Sequence, residues 1–275
     1  MKIQVLRGTN HQLYYAEMLH TALSKIYDDC SLVHQITQPV DLAVFWAHRQ
    51  TQIIHRQKNA GKDYLVVERA YIGDRFKWVS LGLNGLNGYA DFKNDHITDM
   101  TRFNQHFSDY LKPYRKTDLN DPVLVIGQVM GDASHRHINI VTWYKNTIKH
   151  YNDMNIPVIF RPHPLDRASV LHHLSNLNFT LDTNEHLEDT FEQVRAVVTF
   201  NSNSGVLSVL AGLPTISCDR GSMVYNVTSH DLSVLDYTPN RDDWCAKIAY
   251  CQWLPEEIQD GSAFQLLNCS KNSSA

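Results

Sequence analysis

The sequence predicts an α/β protein made of two Rossmann-like domains that face a central cleft. Short apolar runs, of the kind buried parallel strands produce, alternate with stretches of helical periodicity. A polar stretch, "KPYRKTDLNDP", separates two sets of such alternations and reads as a linker. The expected division is 1–118, 119–245 and a C-terminal helical tail over 246–275.

Taken in order, "KIQVL", Gly8 and "HQLYYAEMLHTALSKIY" give a strand, a turn and an amphipathic helix. "DLAVFWAH" and "YLVVE" are further strands, and the glycine- and asparagine-rich residues 82–91 form a loop. "ITDMTRFNQHFSDYL" is helix-like and leads into the linker. Beyond it the alternation is regular. "PVLVIGQ", "IPVIFRPHP", "RAVVTFNS" and "PTISCD" are strands; "HINIVTWYKNTIKHYNDM", "RASVLHHLSNL", "HLEDTFEQV" and "SGVLSVLAGL" are helices. Such alternation implies a parallel sheet covered on both faces, with ligands at the carboxyl ends of its strands. In the tail, one amphipathic helix precedes Pro255, which sits at the first turn of another.

Charge is nearly balanced, at −4 overall, which excludes a wholly basic nucleic-acid binder. It is uneven, however: residues 1–118 carry 15 Lys/Arg and 12 Asp/Glu, the remainder 10 and 17. No run approaches the roughly 18 apolar residues of a membrane span, and "MKIQVLRGTNHQ" lacks the apolar core of a signal peptide. A cytoplasmic protein without stable membrane insertion is expected. Cys30, Cys218, Cys245, Cys251 and Cys269 have no C-x-x-C spacing and read as reduced thiols, which leaves the sequons "NVT" and "NCS" idle. The 15 histidines include no metal-binding spacing.

Three junctions in the second half place polar residues where a strand ends. They are Gly127, Gln128, Asp132 and Ser134; Arg161 and His163; and Asn201, Ser202, Asn203, Ser204 and Gly205. In one parallel sheet all three meet at one edge. Free N–H groups at a helix start suit phosphate, Gly205 admits a close backbone approach, and Arg161 offers a charged fork. The alternative at each junction is plain structure, because Ser and Asn ahead of a helix are ordinary N-caps.

"LVIGQVMGDAS", "IFRPHPLDR", "VVTFNSNSGVLSVLAGLPTISCDRGSMVYNVTSHDL" and "AYCQW" resemble the capsular polysaccharide synthesis family, whose members include β-Kdo transferases of GT-B arrangement. The resemblance covers about residues 121–255, and the N-terminal half matches poorly. It implies a nucleotide-sugar donor site at Gln128, Asp132, Arg161, His163, Ser202, Asn203, Ser204 and Gly205. Arg161 stands where the family wording has lysine, which keeps the charge and leaves donor identity open.

In the N-terminal half, residues 47–86 hold seven Lys/Arg and three Asp/Glu, interleaved with Tyr64, Tyr71, Phe76 and Trp78. Basic residues among aromatics suit an anionic, stackable acceptor, with Arg69, Tyr71, Arg75 and Trp78 as its contacts. The alternative is a core strand followed by a solvated loop. "ERAYIGDR" also loosely resembles segments of phage transferases that decorate hydroxymethylated DNA bases. Glu68 and Asp74 are the carboxylates placed to act as base or to stabilise an oxocarbenium-like centre, the alternative being ion pairs with Arg69 or Arg75. No D-x-D occurs, so neither divalent metal nor cofactor is expected.

These observations predict a metal-independent glycosyltransferase. The acceptor narrowly favoured is a hydroxymethylpyrimidine in phage DNA, ahead of a capsule or lipopolysaccharide glycan. A sugar-nucleotide epimerase and a non-catalytic nucleotide- or glycan-binding protein are the readings from other classes.

Overall fold

The computed structural model describes residues 1–9 and 11–267; Cys269 and the sequon at Asn268 lie outside them. In chain order the first elements are β1 (Lys2–Leu6), α1 (His11–Ser24), β2 (Asp29–Val33), β3 (Leu42–Trp46), α2 (Thr51–Asn59), β4 (Asp63–Arg69), β5 (Val79–Leu83) and α3 (Thr101–His106). There follow β6 (Val123–Ile126), α4 (Ile140–Asp153), β7 (Val158–Arg161), α5 (Arg167–Leu174), β8 (Thr180–Leu181), α6 (Leu187–Phe191), β9 (Ala196–Thr199), α7 (Ser204–Leu210) and β10 (Thr215–Ser217). The chain closes with α8 (Asp242–Ile248), β11 (Gln252–Trp253), α9 (Pro255–Gln259) and α10 (Ser262–Leu267).

Two units emerge: Met1–Gln105 together with the chain from Cys245 onward, and His106–Trp244. Both are α/β. The stretch expected as a separate tail therefore belongs to the first unit, and the division falls ahead of the expected linker.

The first unit holds a six-stranded sheet in the order β11-β5-β4-β3-β1-β2. From β2 to β4 the pairs are parallel, whereas β5 runs antiparallel to β4, and β11 to β5. The sequence reading expected parallel pairing throughout and a loop from residue 82. The connection from Arg69 to Val79 explains the difference, since a parallel return needs a crossover of a dozen or more residues. One face buries Ile3, Val5, Leu65 and Val67 under α1, α9 and α10; the other packs Tyr64, Val66 and Phe45 on Ile53 and Ile54 of α2.

Buried Gln252 locks the returning segment in place. Its Oε1 accepts from the amides of Tyr71 and Ile72, both at 2.9 Å, and its Nε2 donates to the Ile72 carbonyl at 2.8 Å. Arg102 pairs with Glu257, donates to the Ala249 carbonyl at 2.8 Å, and lies over the Trp253 ring at 4.7 Å.

The second unit has a five-stranded parallel sheet, β10-β9-β6-β7-β8, with uniformly buried β6 and β9 at its middle. The polar stretch read as a linker is strapped to this unit. Lys112 N donates to Leu210 O at 2.7 Å, Arg115 N to Gly212 O at 2.9 Å, and Arg241 lies 4.1 Å over the Tyr114 ring. Charged side chains in that text satisfy backbone carbonyls, so its polarity does not mark a free tether.

Candidate functional site

The second sheet runs outward from β6 through β7 to β8, then returns to β9 on the other side of β6. That reversal makes the carboxyl ends of β6 and β9 a topological switch point, where α/β folds take ligands. Gly127 and Gln128 follow β6 there; Asn201 and Ser202 follow β9.

Gln128 and Asn201 are both buried and bonded twice. Gln128 Nε2 donates to Asn201 Oδ1 at 2.8 Å, and Asn201 N donates to Gln128 Oε1 at 3.1 Å. Asn201 Nδ2 reaches the Ser134 carbonyl at 2.7 Å and buried Asp219 at 2.6 Å, and His137 Nε2 stands 3.6 Å from the other Asp219 oxygen. Tyr144 fixes the Gln128 backbone: its hydroxyl accepts from Gln128 N at 2.6 Å. Burial pushes that phenol up to about 12, against the backbone bond that lowers it, so it stays protonated. Asp132 Oδ1 caps Ser134 N at 2.9 Å. A Cβ on Gly127 would press on Arg161 O and Pro162 Cα at 3.0 Å, so glycine there lets the ends of β6 and β7 meet.

The edge thus assembles most of the expected donor residues, with two corrections. Arg161 is not free for a phosphate. Its guanidinium donates to Asp182 at 2.6 Å, to the carbonyls of Asn184 and Glu185 at 3.1 and 3.0 Å, and to Thr190 Oγ1 at 3.3 Å. The Asp182 side chain is 1% exposed. Burial raises its pKa, but hydrogen bonds from Arg161, Thr190 and the Asn184 amide outweigh this and hold it below the usual carboxylate value.

The second correction concerns the phosphate cradle at Ser202–Gly205. Ser202 N already donates to Thr199 Oγ1 at 2.9 Å, Ser204 N to Ser202 Oγ at 3.2 Å, Gly205 N to Ser202 O at 3.0 Å and Val206 N to Asn203 O at 2.9 Å. Four of the amides are spent within the turn, and α7 spans only seven residues. Gly205 is a packing glycine, whose Cβ would stand 3.1 Å from the methyls of Thr199 and Val224. What remains half-buried at this edge is the side chains of Asp132, Ser134, His163, Ser202, Asn203 and Ser204. His163 Nδ1 accepts from Leu165 N at 3.2 Å, which puts the ring proton of the neutral form on Nε2.

In the first unit, the proposed acceptor contacts separate. Tyr71 and Trp78 are each 5% exposed: Tyr71 OH accepts from Ser80 Oγ at 3.1 Å, and Trp78 lies beneath Arg102 at 5.7 Å. Neither ring offers a face to a base, nor does Tyr64, buried at 1% exposure. Core strands and stacking walls use the same residue types, which is why the text was ambiguous. Arg69 is held among aromatics, 4.6 Å from the Phe76 ring and 5.4 Å from Trp46, while Arg75 is exposed. Asp74 shapes the turn, its Oδ1 accepting from Phe76 N at 2.8 Å and its carbonyl from Lys77 and Trp78 N at 3.1 Å. Glu68 is half-buried one residue before the end of β4 and shares, by strand alternation, the face of Tyr64 and Val66 that α2 covers.

The first sheet reverses as well, between β1 and β3. At that switch point lies a cavity of about 710 Å³, rimmed by Arg7, His34, Arg49 and Arg56 with glutamine and threonine side chains between them. Sequence reading passed over Arg7 and His34. The available signal was the polar turn "RGT" directly after the first strand.

Among the described residues, no three His, Cys, Asp or Glu side chains come together as metal ligands would, and no helix is long and apolar enough to cross a membrane. Cys30, Cys218, Cys245 and Cys251 are free thiols.

No protein-family model matches the chain, and no curated protein sequence does. Solved structures do. The KpsC β-Kdo 2,4-transferase of Thermosulfurimonas dismutans superposes over 91% of this chain and 90% of its own, with a TM-score of 0.59 and 14% identity. The KpsC β-Kdo 2,7-transferase of the same organism covers 98% and 99%, with a TM-score of 0.57 and 13% identity. At such identity the likeness is one of fold. It extends to the N-terminal half, where the sequence resemblance was poor, and gives the chain the two-unit α/β fold of GT-B type.

Proposed function

We propose that the protein is a GT-B-type glycosyltransferase that works without a divalent metal and carries a sugar from a nucleotide-sugar to a glycan hydroxyl. The observation that supports it most is that each sheet reverses its strand order beside a polar site. The Gln128–Asn201 clasp marks one and the cavity beside Arg49 the other. The nucleotide-sugar belongs to the first of these and the acceptor to the second.

Gln128, Asn201 and Asp219 are the rigid frame of the donor site; their bonds are made to each other. Ser134, Ser202, Ser204 and His163 Nε2 are the groups left to bind donor, and exposed Arg136, two residues past Ser134, takes the charge-neutralising part expected of Arg161. In the reaction a base removes the acceptor's hydroxyl proton, its oxygen bonds to the anomeric carbon, and the bond to the leaving nucleotide breaks. Glu68 is that base, being a half-buried carboxylate near a strand end on the α2 face, while Asp74 belongs to its turn. The absence of D-x-D supports leaving-group neutralisation by side chains rather than metal.

A glycan acceptor is favoured over a DNA base because Tyr64, Tyr71 and Trp78, three of the four aromatics expected to stack on a base, are in the core, and Phe76 alone of the four is exposed. Titration of UDP-, GDP-, TDP- and CMP-sugars against wild type and His163→Ala tests the reading. One nucleotide-sugar should bind and lose roughly tenfold in affinity in the variant, the scale of a lost hydrogen bond to a charged group. Binding of none would refute it.

A further inference from the structure

We propose that the cavity at the β1–β3 switch point of the first unit binds an acidic sugar, holding its carboxylate or phosphate oxygens through Arg7, Arg49 and Arg56. This rests on the reading that the first unit receives the acceptor, and adds the acceptor's chemical class.

Three observations converge. The cavity has the volume of a small-ligand site, and no acidic side chain is among its described lining. In a chain of net charge −4, three guanidiniums meet there with no carboxylate between them. Among the described residues, neither an ion pair nor a hydrogen bond occupies the side chains of Arg7, Arg49 or Arg56, and Arg56 Nε is buried without a partner. Three arginines away from the cavity are engaged: Arg102 by Glu257, Arg161 by Asp182, Arg241 by the carbonyls of Val209 and Lys112. Like charges gathered in a concavity repel, and an oxyanion relieves this while accepting several N–H donors from their planar forks.

The fold gathers these residues from distant text. Arg7 directly follows β1, whose partner β3 ends at Trp46. Ala47 then holds φ at 62°, a left-handed conformation uncommon for alanine, and turns the chain toward Arg49 and α2, which carries Arg56. Between the arginines stand Gln12, Gln35, Gln50 and Thr37, neutral donors and acceptors that match sugar hydroxyls. An open polar cavity of this size suits one or two sugar rings. A nucleic-acid strand would call for a basic track with several exposed aromatic faces, whereas Trp46 is the single aromatic among the described lining.

Calorimetric titration of the intact protein with digalacturonic acid, its neutral counterpart galactobiose, glucose 6-phosphate, its neutral counterpart glucose, and an eight-nucleotide single-stranded DNA tests this. We expect one of the two acids to bind. Galactobiose should bind at least tenfold more weakly than digalacturonic acid if the carboxylate is what the site holds. If the phosphate is, glucose should bind that much more weakly than glucose 6-phosphate. Exposed Arg7→Gln and Arg49→Gln should each weaken the acid roughly tenfold or more without changing Tm, on the scale of a lost charge-assisted hydrogen bond. Equal binding of acid and neutral sugar, wild-type affinity in both variants, no binding of either acid at millimolar concentration, or tighter arginine-dependent binding of the DNA would each overturn the proposal. The two readings separate cleanly. Arginine-dependent acid binding without transfer from any nucleotide-sugar keeps the cavity assignment and removes the transferase. Transfer with acceptor KM unchanged in both arginine variants does the reverse.

Discussion

Gln128 and Asn201 join the ends of the two central strands of the second sheet by a pair of opposed hydrogen bonds, at 2.8 and 3.1 Å. Neither is long enough to reach far beyond the other, so the pair fixes the edge and leaves ligand contacts to its neighbours. Gln128→Ala strands the buried backbone N–H and side-chain oxygen of Asn201. The expected cost is about 1–3 kcal/mol, read as a lower urea midpoint by the fluorescence of Trp143, which packs on Phe200 at 5.6 Å. An unchanged midpoint would show that the clasp does not hold the edge.

Arg161→Ala leaves Asp182 as an uncompensated buried charge and should destabilise the fold by about 3–5 kcal/mol. Replacing both, as Arg161→Met with Asp182→Leu, should restore much of this. Donor affinity of the folded double variant should match wild type. A donor-specific loss there would return Arg161 to the binding site.

Asp182 also predicts an acid response. Its pKa is lower in the folded chain than in the unfolded one, so its ionised form contributes stability above the unfolded value of about 3.9, lost as pH falls through the folded value. Wild type should lose more stability between about pH 5 and pH 2 than Asp182→Asn does. Parallel loss in both proteins would place the acid sensitivity elsewhere.

Much of the second unit was legible in the sequence. Its strands are continuous apolar runs and their polar ends mark one edge, so Gln128, Ser134 and Asn201 could be placed together from spacing alone. The partner of Arg161 could not, because Asp182 lies 21 residues on and enters only through the β7–β8 pairing. The first unit was harder. β11 has two residues, too few for any periodicity, and Tyr71 and Trp78 read alike as core or as stacking wall until β5 folds back antiparallel. Arg7 and Arg49 meet only because β1 and β3 are parallel neighbours, a fact no local pattern carries.

Gln252 gives a test of how the C-terminal segment serves the first unit. Gln252→Ala removes the acceptor of two buried amides, each worth about 1–3 kcal/mol when left unsatisfied. A large fall in Tm is expected. Amide exchange at Tyr71 and Ile72 should quicken with it, and retained protection there would contradict the assignment.

Glu68→Gln should lower kcat by about two to four orders of magnitude with donor affinity intact, the range for losing a general base. Asp74→Asn should keep most activity, since its oxygen is held in the turn by Phe76 N. The opposite ranking would exchange their roles.

The most direct test of the account is mass detection of sugar transfer from the nucleotide-sugar that binds, onto acidic oligosaccharides, neutral oligosaccharides and hydroxymethylated DNA. We expect an oligosaccharide heavier by one sugar, formed by wild type and lost in Glu68→Gln. Nucleotide released at the same rate with and without acceptor, or transfer to the DNA alone, would contradict it.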